Sequence, residues 1–560
     1  MTCLRRVFLA LLALFSSFSC GFGAQFYNDW AAAHFSDIPA QSGTTNDPDG
    51  DGESNLTEFA FGTDPRVADG IAGAMTPISG ALPETNGVFR VEILEREGHQ
   101  PGAQIDLYLS ADLAHWFRPW WLRTVTNSQP ADPPGSIRES FMTVLPGTNV
   151  WFVRSAVKLF EPGPAAAKYY VATNGNDSNP GTNIAQPFRT LYKIAAIANP
   201  GDLIYVRGGI YRTNRVLSLN RSGTAAAPIH LFAYPGEHPV LDFSPQTFSS
   251  ANRGITLSAS YWHLYGFEVM GAGDNGLNIS GRSNRVELCV FHDCRDTGLQ
   301  ISSPGSSNLV LNCDSFHNFD TDTHGENADG FAPKLAGLGP NNVFRGCRAW
   351  ENADDGWDCF AAPNPVLIDT CWAFRNGFNV VNDPAYAGDG NGFKLGGIDG
   401  TTQVPIPAPH HLINSISFGN THHGIDQNNN SAGLTIDNTT TWHNGTISGD
   451  NINLNHGAVT QGVHVVRNNL SLVGTTNFAS SSVLTSNSWQ VIIAPPASTA
   501  DVLSVDESFA LAPRRDDGNL PDVPFLRPVP LGRLVNRGTN YGGEFIGALP
   551  DLGAYESPEW

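Results

Sequence analysis

Positive charge is scarce in this chain of 560 residues: 32 Lys and Arg stand against 53 Asp and Glu, a formal net charge of −21. A surface so short of cations cannot neutralise a phosphate backbone, which argues against nucleic acid as a partner. It also looks wrong for a polyanionic sugar unless a bound cation supplies the missing charge. Long apolar runs are equally absent after the first two dozen residues, and nothing there approaches the roughly 20 residues of a membrane span. Helical periodicity is rare. Cysteines number eight and their spacing is scattered, which excludes a compact cysteine zinc site. The chain is too long for one ordinary core, and its Gly and Asn richness suits a solenoid with appended modules.

What is present begins with an export signal. Arg5 and Arg6 open it, Val7 to Phe15 form its apolar centre, and Gly21 to Ala24 give a small-residue exit, so 1–24 reads as a signal peptide and the protein as secreted, extracellular or periplasmic. Ser17-Phe18-Ser19 before Cys20 is a poor lipid-anchor site. Cys3 and Cys20 leave with the signal. Six cysteines remain, and an oxidising destination permits disulfides among them, although stacked free thiols account for them equally well.

Residues 25–66 contain Asp47 to Glu58, DPDGDGESNLTE. Asp47, Asp49, Asp51, Gly52 at the bend, Asn55 and the closing Glu58 fit the EF-hand-like calcium loop, with a structural rather than catalytic role. A flexible acidic linker is the alternative. Residues 67–160 alternate as VFRVEIL, IDLYLSADL, SFMTVL and NVWFVRSAV between Pro- and Gly-rich turns, the pattern of a small antiparallel β-module. Its Trp116, Trp120 and Trp121 could stack on sugars or fill a core. Residues 161–167, EPGPAAA, form a linker.

Residues 168–498 carry a repeat. A small-residue step before an apolar residue recurs as Asn275-Gly276-Leu277, Thr297-Gly298-Leu299, Asp329-Gly330-Phe331, Asp355-Gly356-Trp357, Asn391-Gly392-Phe393 and His423-Gly424-Ile425. Out of phase with it runs aromatic-x-Asn, at Phe316/Asn318, Trp350/Asn352, Phe374/Asn376, Phe418/Asn420 and Trp442/Asn444. The closest recurrences lie 22 to 26 residues apart, a solenoid period. With short strands between, the expected fold is all-β, a parallel β-helix whose coils stack about 4.8 Å apart. An amphipathic helix over Phe188 to Ala198, bounded by Pro187 and by Pro200-Gly201, should cover the first coil. Cys313, Cys347 and Cys371 each fall five residues before the repeated Asn and should form a ladder, with Cys289 one residue out of register. Residues 499–560 are Pro-rich and read as a C-terminal tail packed on the β-helix.

Stacking makes neighbours of residues one coil apart. Asp329, Asp354, Asp355 and Asp358 then gather with few cations nearby, and Lys394 follows one coil on. Four repelling carboxylates suit a hard cation such as Ca²⁺, which takes six to eight oxygen ligands. A polar rim of solvated turns is the plainer alternative.

The motifs NADGF, DDGWD and GFK resemble those of the pectate lyases of polysaccharide lyase family 9, right-handed parallel β-helices, over roughly Lys168 to Val473. The resemblance implies one catalytic Ca²⁺ on Asp329, Asp354, Asp355 and Asp358, and Lys394 as the base. It implies a secreted, calcium-dependent pectate lyase, a monomer acting on polygalacturonate or pectin by β-elimination with an alkaline optimum. Lys334 is a competing base or a binder of a substrate carboxylate, and His410, His411, His422 and His423 are possible groove residues. Two rivals stay open: a glycoside hydrolase using paired carboxylates on the same fold, and a non-catalytic polysaccharide-binding or adhesion protein.

Overall fold

The computed structural model describes residues 27–61, 64–68 and 167–557 apart from 235, 399–401, 456–461, 491–494, 516–517, 543–544 and 546, together with the backbone of six strands between 69 and 166. The expected signal peptide, most of the expected linker and Trp116, Trp120 and Trp121 lie outside the described residues. The chain divides into two compact units, 1–165 and 166–560.

In the first unit, Met75–Ile78, Val88–Arg96, Ser136–Val144 and Arg123–Ala131 form one antiparallel sheet, and Ala103–Ser110 pairs antiparallel with Phe152–Leu159. Before them stand the helices Tyr27–His34 and Asn55–Phe61, around a small core of Trp30, Phe35 and Phe59.

The second unit is a parallel β-helix of three sheets. Sheet 1 has ten strands from Leu217–Leu219 to Thr476–Phe478, sheet 2 has twelve from Tyr169–Val171 to Val483–Thr485, and sheet 3 has ten from Gly209–Arg212 to Leu470–Leu472. Each coil visits sheets 2, 3 and 1 in turn, so strands one coil apart pair in parallel. In sheet 1, Leu277, Leu299, Phe331, Trp357, Phe393, Ile425 and Ile452 pair successively and are all buried. The alternate position faces the other way. There Gln300, Ala332, Asp358, Lys394, Asp426 and Asn453 stand in one column, polar at every position but Ala332, and Asp358 is the register partner of Lys394.

The repeated asparagines explain the tight turn between sheets 3 and 1. Asn318, Asn352, Asn376, Asn420 and Asn444 are buried, and each of the first four donates Nδ2 to the next one's Oδ1 at 2.8–3.0 Å. A Cβ on Gly356 would meet the Gly392 carbonyl oxygen at 2.6 Å and Asn376 Nδ2 at 2.9 Å. Only glycine lets the coils approach so closely there. The aromatic partners of the repeat stack on sheet 3, Phe316 on Trp350, Trp350 on Phe374 and Phe374 on Phe418, with centroids 4.5, 5.6 and 4.8 Å apart.

Two expectations need correction. Cys289 is in the ladder: Val290 pairs with Asp314, which places Cys289 opposite Cys313. In its coil the asparagine position is held by Cys294, whose amide donates to Asn318 Oδ1, and not by Asp293 beside it. All six cysteines are buried and free. The helix covering the first coil spans Leu191–Ile197, starting later than its apolar pattern suggests. Phe188 is instead bridged to Val171 in extended backbone, and Asp177 accepts from the amides of Arg189 and Thr190 just ahead of the helix.

Residues beyond 499 lie across sheet 3. Val502, Phe525, Leu526, Leu534 and Leu552 bury Phe374, Phe418, Trp442 and Leu470. Arg514 and Arg348 both bond the buried Asp314 and hold the tail to the coils.

Candidate active site

The turns leading from sheet 3 into sheet 1 carry the acidic motifs. In one coil the turn ends at Asp329, in the next it holds Asp354 and Asp355, and Asp358 follows on the strand itself. All four side chains are buried. One oxygen each of Asp329, Asp355 and Asp358 fall within 4.8 Å of one another, and the same holds for Asp354, Asp355 and Asp389.

Backbone groups fix these carboxylates. Asp354 accepts from the amides of Asn327 at 3.0 Å and Asp389 at 2.6 Å. Asp355 Oδ1 accepts from the amide and Nδ2 of Asn391 at 2.7 and 2.9 Å. Asp358 Oδ1 accepts from the Phe360 amide, and Asp329 Oδ2 accepts from Thr297 Oγ1. Asp355 Oδ2 is buried and accepts no hydrogen bond. Lys394 Nζ lies 3.1 Å from it without a hydrogen-bonding alignment, and 3.0 Å from Asp389 Oδ2.

Burial pushes the carboxyls of Asp329 and Asp355 well above the ordinary range. Lys334 works against that at Asp329, while the Asp354 charge adds to it at Asp355. Burial disfavours the ionised form of such acids unless positive charge stands close by. A hard divalent ion answers that need, and the orphaned Asp355 oxygen fits a ligand role. Lys394 has the reverse character: burial would lower its pKa, but Asp355, Asp358, Asp354 and Asp389 outweigh burial and raise it well above normal.

Lys334 Nζ lies 2.7 Å from Asp329 Oδ2 and 3.3 Å from Asp358 Oδ2, and is buried. It is the internal counter-ion of those two acids. Asp389 is the residue the sequence reading passed over. It stands at the end of an inserted loop, and its only signal is the GDG turn five residues before Lys394.

The histidines divide. His410 is buried, its Nδ1 accepts from the Val366 amide, and burial pushes it down to about 4. His411 pairs with Asp437 at 3.1 Å. His423 occupies the turn position that Asp355 and Asn391 hold in earlier coils, and its Nδ1 accepts from the Asp450 amide. The His422 ring lies beside it, centroids 4.1 Å apart and the planes tilted by 41°.

In the first unit, one oxygen each of Asp47, Asp49 and Asp51 converge within 4.8 Å. Asn55 is fully buried; its Nδ2 donates to the Gln41 and Gly43 carbonyls, which leaves Oδ1 without a partner, and Asp49 Oδ2 is in the same condition. Glu58 is likewise buried, at the start of the following helix.

Comparison with known proteins places this arrangement. Residues 169–469 match the family described as Pel9A-like, right-handed beta-helix region. A pectate lyase L of Dickeya dadantii (strain 3937) is 40% identical over 69% of this chain and 90% of its own length. Among solved structures, pectate lyase Pel9A superposes with a TM-score of 0.64 at 40% identity, covering 69% of this chain and 96% of that one. A rhamnogalacturonan lyase follows with a TM-score of 0.59 at 29% identity, covering 65% and 97%. The β-helix is therefore right-handed, and the chain belongs to the Pel9A-like right-handed β-helix family of polysaccharide lyases.

Proposed function

We propose that the protein is a secreted, calcium-dependent pectate lyase that cleaves α-1,4-linked galacturonan by β-elimination. The observation that carries this reading is the meeting of Lys394 with the buried, donor-free oxygen of Asp355 at 3.1 Å. Asp329, Asp354, Asp355 and Asp358 would hold Ca²⁺, with Asp389 beside them. Bound there, the ion offers positive charge to the substrate carboxylate and to the charge that develops next to it.

The proton at carbon 5 is only weakly acidic because its carbon already bears a carboxylate. Lys394 Nζ takes that proton in its neutral form, the electron pair forms the double bond between carbons 4 and 5, and the glycosidic oxygen leaves carbon 4 with its own pair. The unsaturated uronate end and a new reducing end result. Asp355 and Asp389 aim the amine from two sides. Lys334 spends two of its N–H groups on Asp329 and Asp358, and its third is suited to a substrate carboxylate. The acidic polymer is the partner, and the enzyme works as a monomer, outside the cytoplasm.

A rhamnogalacturonan backbone is the second reading, favoured by the 29% identical structure. The 40% identity to a named pectate lyase favours galacturonan. In the first unit, Asp47, Asp49, Asp51, Asn55 and Glu58 bind a second, structural Ca²⁺, a reading supported by the orphaned Asn55 oxygen.

The deciding assay incubates purified protein with polygalacturonate or rhamnogalacturonan, with and without a chelator, and follows ultraviolet-absorbing product. Product from polygalacturonate alone that vanishes on chelation is expected. Reducing ends without absorbance would indicate hydrolysis, and binding without turnover an adhesion protein.

A further inference from the structure

In a chain this acidic, a cluster of arginines that its carboxylate neighbours only partly neutralise needs a reason. One exists at the first coil, where Arg189, Arg212, Arg215, Tyr192, Tyr211 and Phe243 line a cavity of about 470 Å³. Among the described residues, Arg189 and Arg215 meet no carboxylate, and Arg212 approaches Asp242 only to 3.6 Å. Arg215 is held in place: its guanidinium lies over the Tyr192 ring at 4.2 Å, while Tyr192 Oη donates to the Arg215 carbonyl at 2.7 Å. A planar fork so fixed suits a carboxylate, and the half-buried Tyr192 and Tyr211 make the cavity wall firm behind it.

The place of the cavity gives it meaning. Arg215 sits on the turn from sheet 3 into sheet 1, between Gly209–Arg212 and Leu217–Leu219, and Asp354 and Asp355 sit on the equivalent turn five strands along sheet 1. At about 4.8 Å per strand the two lie about 24 Å apart on one edge of the β-helix. An extended pyranose chain advances by about one coil per sugar. The turns between carry Asp274, paired with Arg253 at 3.0 Å, and Asp296 next to Arg295, so acids and cations are balanced there, while Arg189 and Arg215 at this end face no carboxylate. A uronate chain would find cations without a carboxylate partner at that end.

We infer that this cavity is a distal anchoring site for the carboxylates of a long uronate chain whose reacting bond lies at the Lys394 site. The inference rests on the proposed galacturonan substrate. The test compares Arg189→Gln/Arg215→Gln with the parent enzyme on trigalacturonate and on galacturonan of ten or more units. For the long chain KM should rise about tenfold, the loss expected for one charge-assisted hydrogen bond, with kcat unchanged and trigalacturonate kinetics unmoved. Unchanged KM on both substrates, or an equal change on both, overturns it. Binding of the ten-unit chain, followed calorimetrically with Lys394→Ala as background, is the second readout and should weaken by the same factor when both arginines are replaced. Failure of the parent to turn over any galacturonan would sink the lyase reading alone, and the calorimetry would still decide the cavity: equal affinity with and without the arginines overturns it.

Discussion

Lys394 stands one coil beyond Asp358 as its register partner, with its ammonium 3.1 Å from the oxygen of Asp355 that accepts no hydrogen bond. Its surrounding acids raise its pKa when no ion is bound; a bound Ca²⁺ opposes them, but even an ordinary lysine is mostly charged near pH 7, and its reactive neutral form grows about tenfold per pH unit. Activity should therefore climb through the alkaline range. Lys394→Ala should lower kcat by at least a factor of about 100 while calcium binding and melting temperature stay near those of the parent. A variant retaining full turnover would remove Lys394 from the mechanism.

Asp355 supplies the one oxygen of the four aspartates that accepts no hydrogen bond. Asp355→Asn keeps its size and its contact with Asn391 but loses charge, so calcium affinity and turnover should both fall, turnover by about a hundredfold or more. Calorimetric calcium titration beside the product assay checks this. Loss of turnover with unaltered calcium affinity would contradict a ligand role.

If the Asp47–Glu58 loop of the first unit binds calcium as proposed, the ion should act on stability and not on rate. Calcium at about one hundred times its Kd should stabilise the loop's unit by about 2.7 kcal/mol. Asp49→Asn or Asn55→Ala should abolish that increment in a melting experiment and leave kcat unchanged.

On sheet 3, Glu268 is bound by His238 at 2.6 Å and by His292 at 3.2 Å, and His292 also holds Asp293. The His238 bond, then the His292 bond, pull Glu268 down to about 2. Burial opposes the charge on His292, but Asp293 and Glu268 raise it to about 9. Stability from His292 is therefore whole below its ordinary 6.5 and fades as pH rises through about 9; that from Glu268 is whole above its ordinary 4.5 and fades as pH falls through about 2. The two describe one shared interaction. Urea unfolding at pH 6 and pH 9.5 should differ by about 1–3 kcal/mol in the parent and by less in His292→Gln.

Gly356→Ala would drive a methyl against the Gly392 carbonyl and the asparagine ladder. A loss of roughly 1–3 kcal/mol is expected, with a fall in kcat because Asp355 precedes it. Denaturant unfolding and steady-state rates measure the two effects separately.

The repeat made the coils legible, because glycine steps and buried asparagines recur at most places where one turn lies on the next. Four aspartates and a lysine could then be placed by arithmetic. Lys334 could not be understood that way: its bonds to Asp329 and Asp358 follow from side-chain reach, which spacing does not encode. Asp389 was hidden because the long turn between Asn376 and Asn391 has no fixed length. Cys289 was misplaced for a related reason, since Cys294 replaces the asparagine that marks the position in other coils.

That long turn carries a further lesson. The strands on either side of it, Trp372–Phe374 and Phe393–Lys394, keep their partners in the coils before and after. Added length there is absorbed sideways, without shearing the column that holds the amine. A segment of a different length could therefore be accommodated beside Lys394 while the column beneath stays where it is.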